Sequence, residues 1–175
     1  MSKRKINTLF LDTPSDDDEQ VSLMAIHCPL EAFKLIYFIN GKLGINLARS
    51  TQDVDFHHHS SASHYPLYHY RDTEDFLDFY VVANRSKTLS MKNNKSDTLF
   101  PMQDAQPAFL IPERKKVDYF FKIEGTKSFR KHLLRLKTIK QIVAVYRMDI
   151  VELKSYKNLI FSWWNALKKP KLSPL

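Results

Sequence analysis

Only three glycines occur in 175 residues. That scarcity argues against a Gly-rich, phosphate-cradling loop, which needs several glycines close together. The single cysteine, Cys28, excludes an intrachain disulfide and fits a reducing compartment. No apolar run approaches the roughly 20 residues a membrane-spanning helix needs. Lys3-Arg4-Lys5 resembles the basic start of a secretion signal, but the apolar run behind it is short and ends at Asp12. These absences lead to the expectation of a cytoplasmic protein with no membrane span. Paired cysteines and an H-E-x-x-H pattern are missing too, so no metal site and no cofactor are expected.

What remains has the composition of an ordinary globular chain, with 43% apolar and 26% charged residues. Its length suits one domain with a modest appendage. Residues 1–154 are read as a single α+β domain with a mobile polar loop over 85–107. Residues 155–175 are read as an aromatic and basic tail that docks on the body, carrying Trp163 and Trp164. Charge is uneven. The stretch 113–175 holds 16 Lys/Arg against 5 Asp/Glu, whereas 1–112 holds 11 against 14. Such a basic half attracts phosphate-bearing partners through its field, without defining a site.

Hydropathy patterning places the elements. Residues 6–12 suit an edge strand, followed by a Pro- and Asp-rich loop to Glu19. Residues 21–27 alternate as a strand. A helix is expected over 29–40, with Pro29 in its first turn and Gly41 as its stop. Leu30, Phe33, Ile36 and Tyr37 share one stripe of it, and Leu35, Phe38 and Ile39 add apolar surface around the rest. A helix so apolar needs cover on more than one side, for example from a second subunit. An ambiguous stretch over 44–59 ends in His57, His58 and His59, and 60–63 reads as a turn. Strands over 66–70 and 76–83 form a hairpin through Arg71 to Glu74. Val117, Tyr119, Phe121 and Ile123 alternate as a strand. A basic helix capped by Thr126 and a strand over 142–149 follow. Two strand–helix–strand units with a hairpin between them predict an antiparallel or mixed sheet with both helices on one face. That is a ferredoxin-like arrangement of βαβ units with an inserted hairpin.

The most distinctive stretch runs from Leu110 to Ile123. Ile111-Pro112-Glu113, three further residues and Val117-Asp118-Tyr119 spell out the pattern IPExxxVDY literally. The chain resembles the bacterial IPExxxVDY family, associated with Bacteroidota. The resemblance extends from about Leu23 to Phe161 and includes the helix of Phe33 to Asn40. It departs from the family at Cys28 and Pro29, where Thr and Ser are common, and in the tail beyond Phe161. No reaction comes with the resemblance.

Read as chemistry, Pro112 fixes its own φ and holds Ile111 extended, so the signature forms a charged bend entering a strand. Glu113 and Asp118 then hydrogen-bond the backbone or nearby basic residues. The alternative is an acid/base or metal-binding pair. His57, His58, His59, His64 and His69 invite a metal reading, but adjacent strand residues point to opposite faces and a polar loop suits them better. Cys28, near a helix start, is a candidate nucleophile only if a base stands beside it. Lys127, Arg130, Lys131 and Lys137 share a helix face and are candidates for phosphate or nucleic-acid contact. Three functions are carried forward. The first is a non-enzymatic binding or adaptor protein with a protein partner or a second copy of itself. The second is an RNA- or ribosome-associated factor. The third is an enzyme using Glu113 and Asp118.

Overall fold

The computed structural model describes residues 21–51, 53–58, 61–90, 106–125 and 129–161. The expected strand over 6–12, the Thr126 cap, His59 and the Trp163-Trp164 tail lie outside these residues.

Among the described residues, ten strands and two α-helices build three layers. The central layer is a six-stranded sheet in the order β10-β1-β9-β6-β5-β2, and each pairing in it is antiparallel. Its strands are β1 (Val21–His27), β2 (Ala48–Arg49), β5 (Leu67–Asp72), β6 (Leu77–Ala83), β9 (Tyr119–Glu124) and β10 (Ala144–Met148). β9 and β10 flank β1 and are joined through helix α2 (Phe129–Lys137), a split βαβ unit. The run β10-β1-β9-β6 is the ferredoxin-like order. β5 and β2 extend it at one side.

Both helices cover one face, as expected. Leu35, Ile36, Ile39 and Leu43 of α1 (Ala32–Leu43) and Phe129 and Leu136 of α2 pack on Met24, Ile26, Phe121 and Ile123. The burial of α1 corrects the sequence reading. Ile36 is buried, but Phe33 and Tyr37 of the expected stripe are 59% and 75% exposed, and Leu35 and Ile39 point inward instead. The helix also begins three residues later than expected and runs past Gly41. Gly44 stops it, at φ 72, with its N–H on the Asn40 carbonyl. Only glycine takes that conformation without strain, and the extra turn buries Leu43.

The opposite face is covered as well. A four-stranded sheet of β3 (Val54–His58), β4 (Ser61–Tyr65), β7 (Arg85–Ser90) and β8 (Gln106–Phe109) lies in the order β3-β4-β7-β8. It continues the β5–β6 hairpin past two bends, at Pro66 and Asn84, where the Ala83 N–H donates to the Pro66 carbonyl. Two expectations change here. Residues 61–63 are strand rather than turn, paired with residues 56–58 of β3. The supposed polar loop 85–107 begins as β7 and ends as β8, paired from Arg85–Phe109 to Thr88–Gln106. Polar side chains hid both: Ser63 and Ser86 are buried here, while their neighbours His64 and Arg85 are exposed.

The third contributor to this face is the C-terminal segment. Leu153, Leu159 and Phe161 join Leu23, Tyr80, Val82 and Phe120 in a second core cluster. Residues 155–161 therefore belong to the body of the domain. At the far end of the sheet, Gly125 has φ 113, and a Cβ there would lie 2.6 Å from Leu77 Cδ2 and 2.8 Å from the Phe76 carbonyl. Glycine is what lets β9 end against the β5–β6 turn. Among the described residues, no helix is long and apolar enough to cross a membrane.

Candidate functional site

Two regions gather the polar and exposed residues singled out above: the signature and the outer face of the helical layer.

The signature surrounds Asn84, which is fully buried at the bend between β6 and β7. Its Oδ1 accepts from the Ile111 N–H at 2.8 Å. Its Nδ2 donates to the carbonyls of Arg114 and Val117, each at 2.9 Å. Its own N–H donates to the Asp118 carbonyl, and its carbonyl accepts from Leu110. One side chain and its peptide groups thus satisfy the bend at both ends. Pro112 opens a single 3-10 turn (Pro112–Arg114), after Ile111 in extended conformation. That is the proline-set bend expected from sequence. Val117 does not share the face of Tyr119 and Phe121. It precedes the strand and packs on the side away from the helices.

The two carboxylates serve different neighbours. Asp118 Oδ2 accepts from the Cys28 N–H at 2.9 Å, tying β9 to the link between β1 and α1. Glu113 accepts from the Ser155 N–H at 2.8 Å and the Ser155 hydroxyl at 3.0 Å, which anchors the C-terminal segment. Asn158 adds a bond to the Leu110 carbonyl at 2.7 Å. Burial pulls the Glu113 carboxyl upward, but the hydrogen bonds from Ser155 and from the 113 and 154 backbone outweigh it and hold the group below its ordinary range. The anion is therefore the bound form. Its contribution is present above the ordinary glutamate range and fades as pH falls through the lowered folded value. Glu113→Gln is expected to cost about 1 kcal/mol at neutral pH and to flatten the acid limb of stability below about pH 4.5, as a series of urea melts would register. An unchanged acid limb would mean that the Ser155 clasp contributes nothing in solution.

Tyr119 completes the signature. Its hydroxyl donates to the Leu30 carbonyl at 2.6 Å, and burial, with the nearby Cys28 and Asp118, pushes the phenol up to about 12. Cys28 is also driven upward, by burial first, against a hydrogen bond from the Leu30 backbone; the nearby Asp118 charge pushes the same way. Its Sγ lies 3.3 Å from the Gln141 carbonyl. A thiol kept neutral in this way is a poor nucleophile, and α1 begins only at Ala32, too far on for its dipole to lower the thiol.

The histidines separate. His57 and His58 belong to β3. His64 Nδ1 pairs with Asp55 at 2.7 Å on an exposed surface. His69 Nε2 pairs with Asp78 at 2.8 Å and stacks on Tyr80, with ring centroids 4.6 Å apart. Among the described residues, no three His, Cys, Asp or Glu side chains stand together as metal ligands.

A buried lysine escaped the sequence reading, as Asn84 did. Lys122 is 4% exposed although it lies in a strand. Its Nζ donates to the Leu159 carbonyl at 2.7 Å and pairs with Glu124 Oε1 at 2.5 Å. It also lies 5.1 Å from the Phe161 ring centroid and 5.7 Å from that of Tyr80. Alternation puts it on the face opposite Phe121 and Ile123, and nothing local marks that face as covered. The only hint was a run of apolar residues near 159–161 able to cover that face.

The helical layer has a different character. Arg130, Lys131 and Lys137 are exposed on α2, while Lys127 lies outside the described residues. From Gly125 to Met148 the sequence has seven Lys/Arg and no Asp or Glu. From Ala32 to Arg49 it has three and again no acid. Between the C-terminal end of α1 and the turn after α2 lies a groove of about 450 Å³, lined by Tyr37, Phe38, Lys42, Ile139 and Lys140 among others. A second hollow, of about 690 Å³, adjoins it at Gly41 and Thr138 and is lined by Leu134 and Arg135. Leu134 is 62% exposed.

By fold the chain is an α+β protein with a ferredoxin-like core covered on both faces. Set against protein-family models, curated proteins and solved structures, it matches none.

Proposed function

We propose that this chain is a cytoplasmic, non-enzymatic binding protein of the IPExxxVDY type, and that the outer face of its helical layer is the contact surface. The observation that carries this reading is the exposure of Phe33 and Tyr37 on α1 and of Leu134 on α2, in a layer that also exposes Lys42, Lys131, Lys137 and Lys140. Exposed aromatic and aliphatic side chains on neighbouring elements mark interaction sites more often than scattered single ones do. The signature supports the reading from the other side. Glu113, Asp118 and Tyr119 are each engaged in bonds that hold the fold together, which leaves them ill placed to act as an acid/base pair.

Affinity purification of the tagged full chain from its native cell, with and without nuclease, tests the assignment. Phe33→Ser with Tyr37→Ser is expected to remove the co-purifying partners. Val151→Ser, on a residue 87% exposed in the layer across the sheet, is expected to keep them. The reading fails if the double variant retains every partner of the wild type. A second copy of the chain is the other occupant of interest, and sedimentation of the purified protein distinguishes it.

A further inference from the structure

We infer that the groove beside Tyr37 is a contact for single-stranded nucleic acid, with a base stacked on the Tyr37 ring and backbone phosphates beside Lys42 and Lys140. The inference rests on the binding role of the helical face and names its partner.

Three observations converge. The groove is of a size usual for ligand sites and carries Lys42 and Lys140 without an acidic side chain among its lining residues. Tyr37 stands at its rim with three-quarters of its surface open, set edge-to-face against Phe38 at 5.6 Å. The basic residues do not stop at the groove, since Arg135 lines the adjoining hollow and Lys131 and Lys137 lie exposed along α2.

The competing explanation for these cations is compensation of the two helix C-termini that end here. Each terminus carries about half a negative charge. Lys42, Arg135 and Lys140 supply three positive charges against roughly one, so a positive excess remains. An acidic peptide would use that excess too. Its carboxylates would draw nothing from the electron-rich face of the ring, whereas every base offers a face to stack. Single-strand binders combine these two features, a positive track and aromatic platforms.

The test is fluorescence anisotropy of a short labelled oligouridylate with the full chain at low salt. Saturable binding that weakens with salt is expected. Tyr37→Ala is expected to weaken it about tenfold, while Tyr37→Phe, which keeps the ring, binds as the wild type does. Lys42→Ala with Lys140→Ala is expected to lower the slope of log affinity against log salt by about 1.4, the share of two phosphate contacts on a single strand. The pair Lys154→Ala and Lys157→Ala removes the same charge from the C-terminal segment and is expected to leave that slope in place. Equal loss from both lysine pairs, no effect of Tyr37→Ala, or no saturable binding by the wild type would overturn the inference. An oligoglutamate that binds through Tyr37, Lys42 and Lys140 where oligouridylate does not would overturn the nucleic-acid assignment alone, and leave the helical face standing as a binding surface.

Discussion

Asn84→Ala is expected to lower the thermal midpoint by about 10 °C, from a loss of about 3–4 kcal/mol in a chain of this size. The figure follows from what the substitution strands. The buried Ile111 N–H and Val117 carbonyl lose their side-chain partner, while the part-buried Arg114 carbonyl keeps the Val117 N–H. A buried group left unbonded costs about 1–3 kcal/mol, and two such groups account for the figure. Asn84→Asp separates hydrogen bonding from volume, because the two side chains are nearly the same size. The aspartate would turn an acceptor toward two carbonyl oxygens, so it is expected to destabilise more than alanine at neutral pH. Its folded-state pKa would be raised, since only the neutral acid can donate to Arg114 or Val117. The variant should therefore recover stability as pH falls below that raised value, whereas Asn84→Ala should not. Chemical denaturation of both variants at two pH values measures this. A loss under about 1 kcal/mol for alanine would show that the signature holds its bend without Asn84.

That residue also marks where sequence reasoning stops. The signature was readable as a bend because proline has local consequences, acting on its own φ and on the residue before it. The side chain that satisfies the bend lies 27 positions upstream of Ile111, at the close of an apolar strand, and nothing local distinguishes it there. The ferredoxin-like core was legible for the opposite reason. β1, β6 and β9 are dense in apolar residues, and the split βαβ unit is continuous in sequence. The small sheet was not, because β4 and β7 are rich in Ser, His and Lys, which carry little strand signal. For α1, apolar residues on nearly every side removed the contrast that identifies an inner face. The sequence supplied Phe33 and Tyr37 as apolar residues. Only packing decided that they face outward, and the proposed binding surface depends on that reversal.

Lys122 offers the sharpest test of how the C-terminal segment is held. Lys122→Ala is expected to cost about 3 kcal/mol, near the lower end for breaking a buried ion pair, because Glu124 keeps some access to water. The loss has three parts. The Leu159 carbonyl loses its donor, Glu124 loses its counter-charge, and a void opens beneath Tyr80 and Phe161. Lys122→Met fills the void without restoring the charge or the donor, so its expected cost is smaller, about 1–2 kcal/mol. The difference between the two variants measures packing, and what remains in methionine measures the polar clasp. The clasp predicts a local signature as well. Phe161 is 1% exposed and closes the second core cluster, so loosening the Leu159 carbonyl should open the chain there before the sheet yields. Limited proteolysis of Lys122→Met should therefore cut near residues 155–161 at protease levels that leave the wild type intact, while amide exchange in β1 and β9 stays slow. If cleavage and sheet exchange rise together, the segment is not a separately held cover but part of one cooperative unit, and the lysine stabilises the whole domain instead of fastening its last residues.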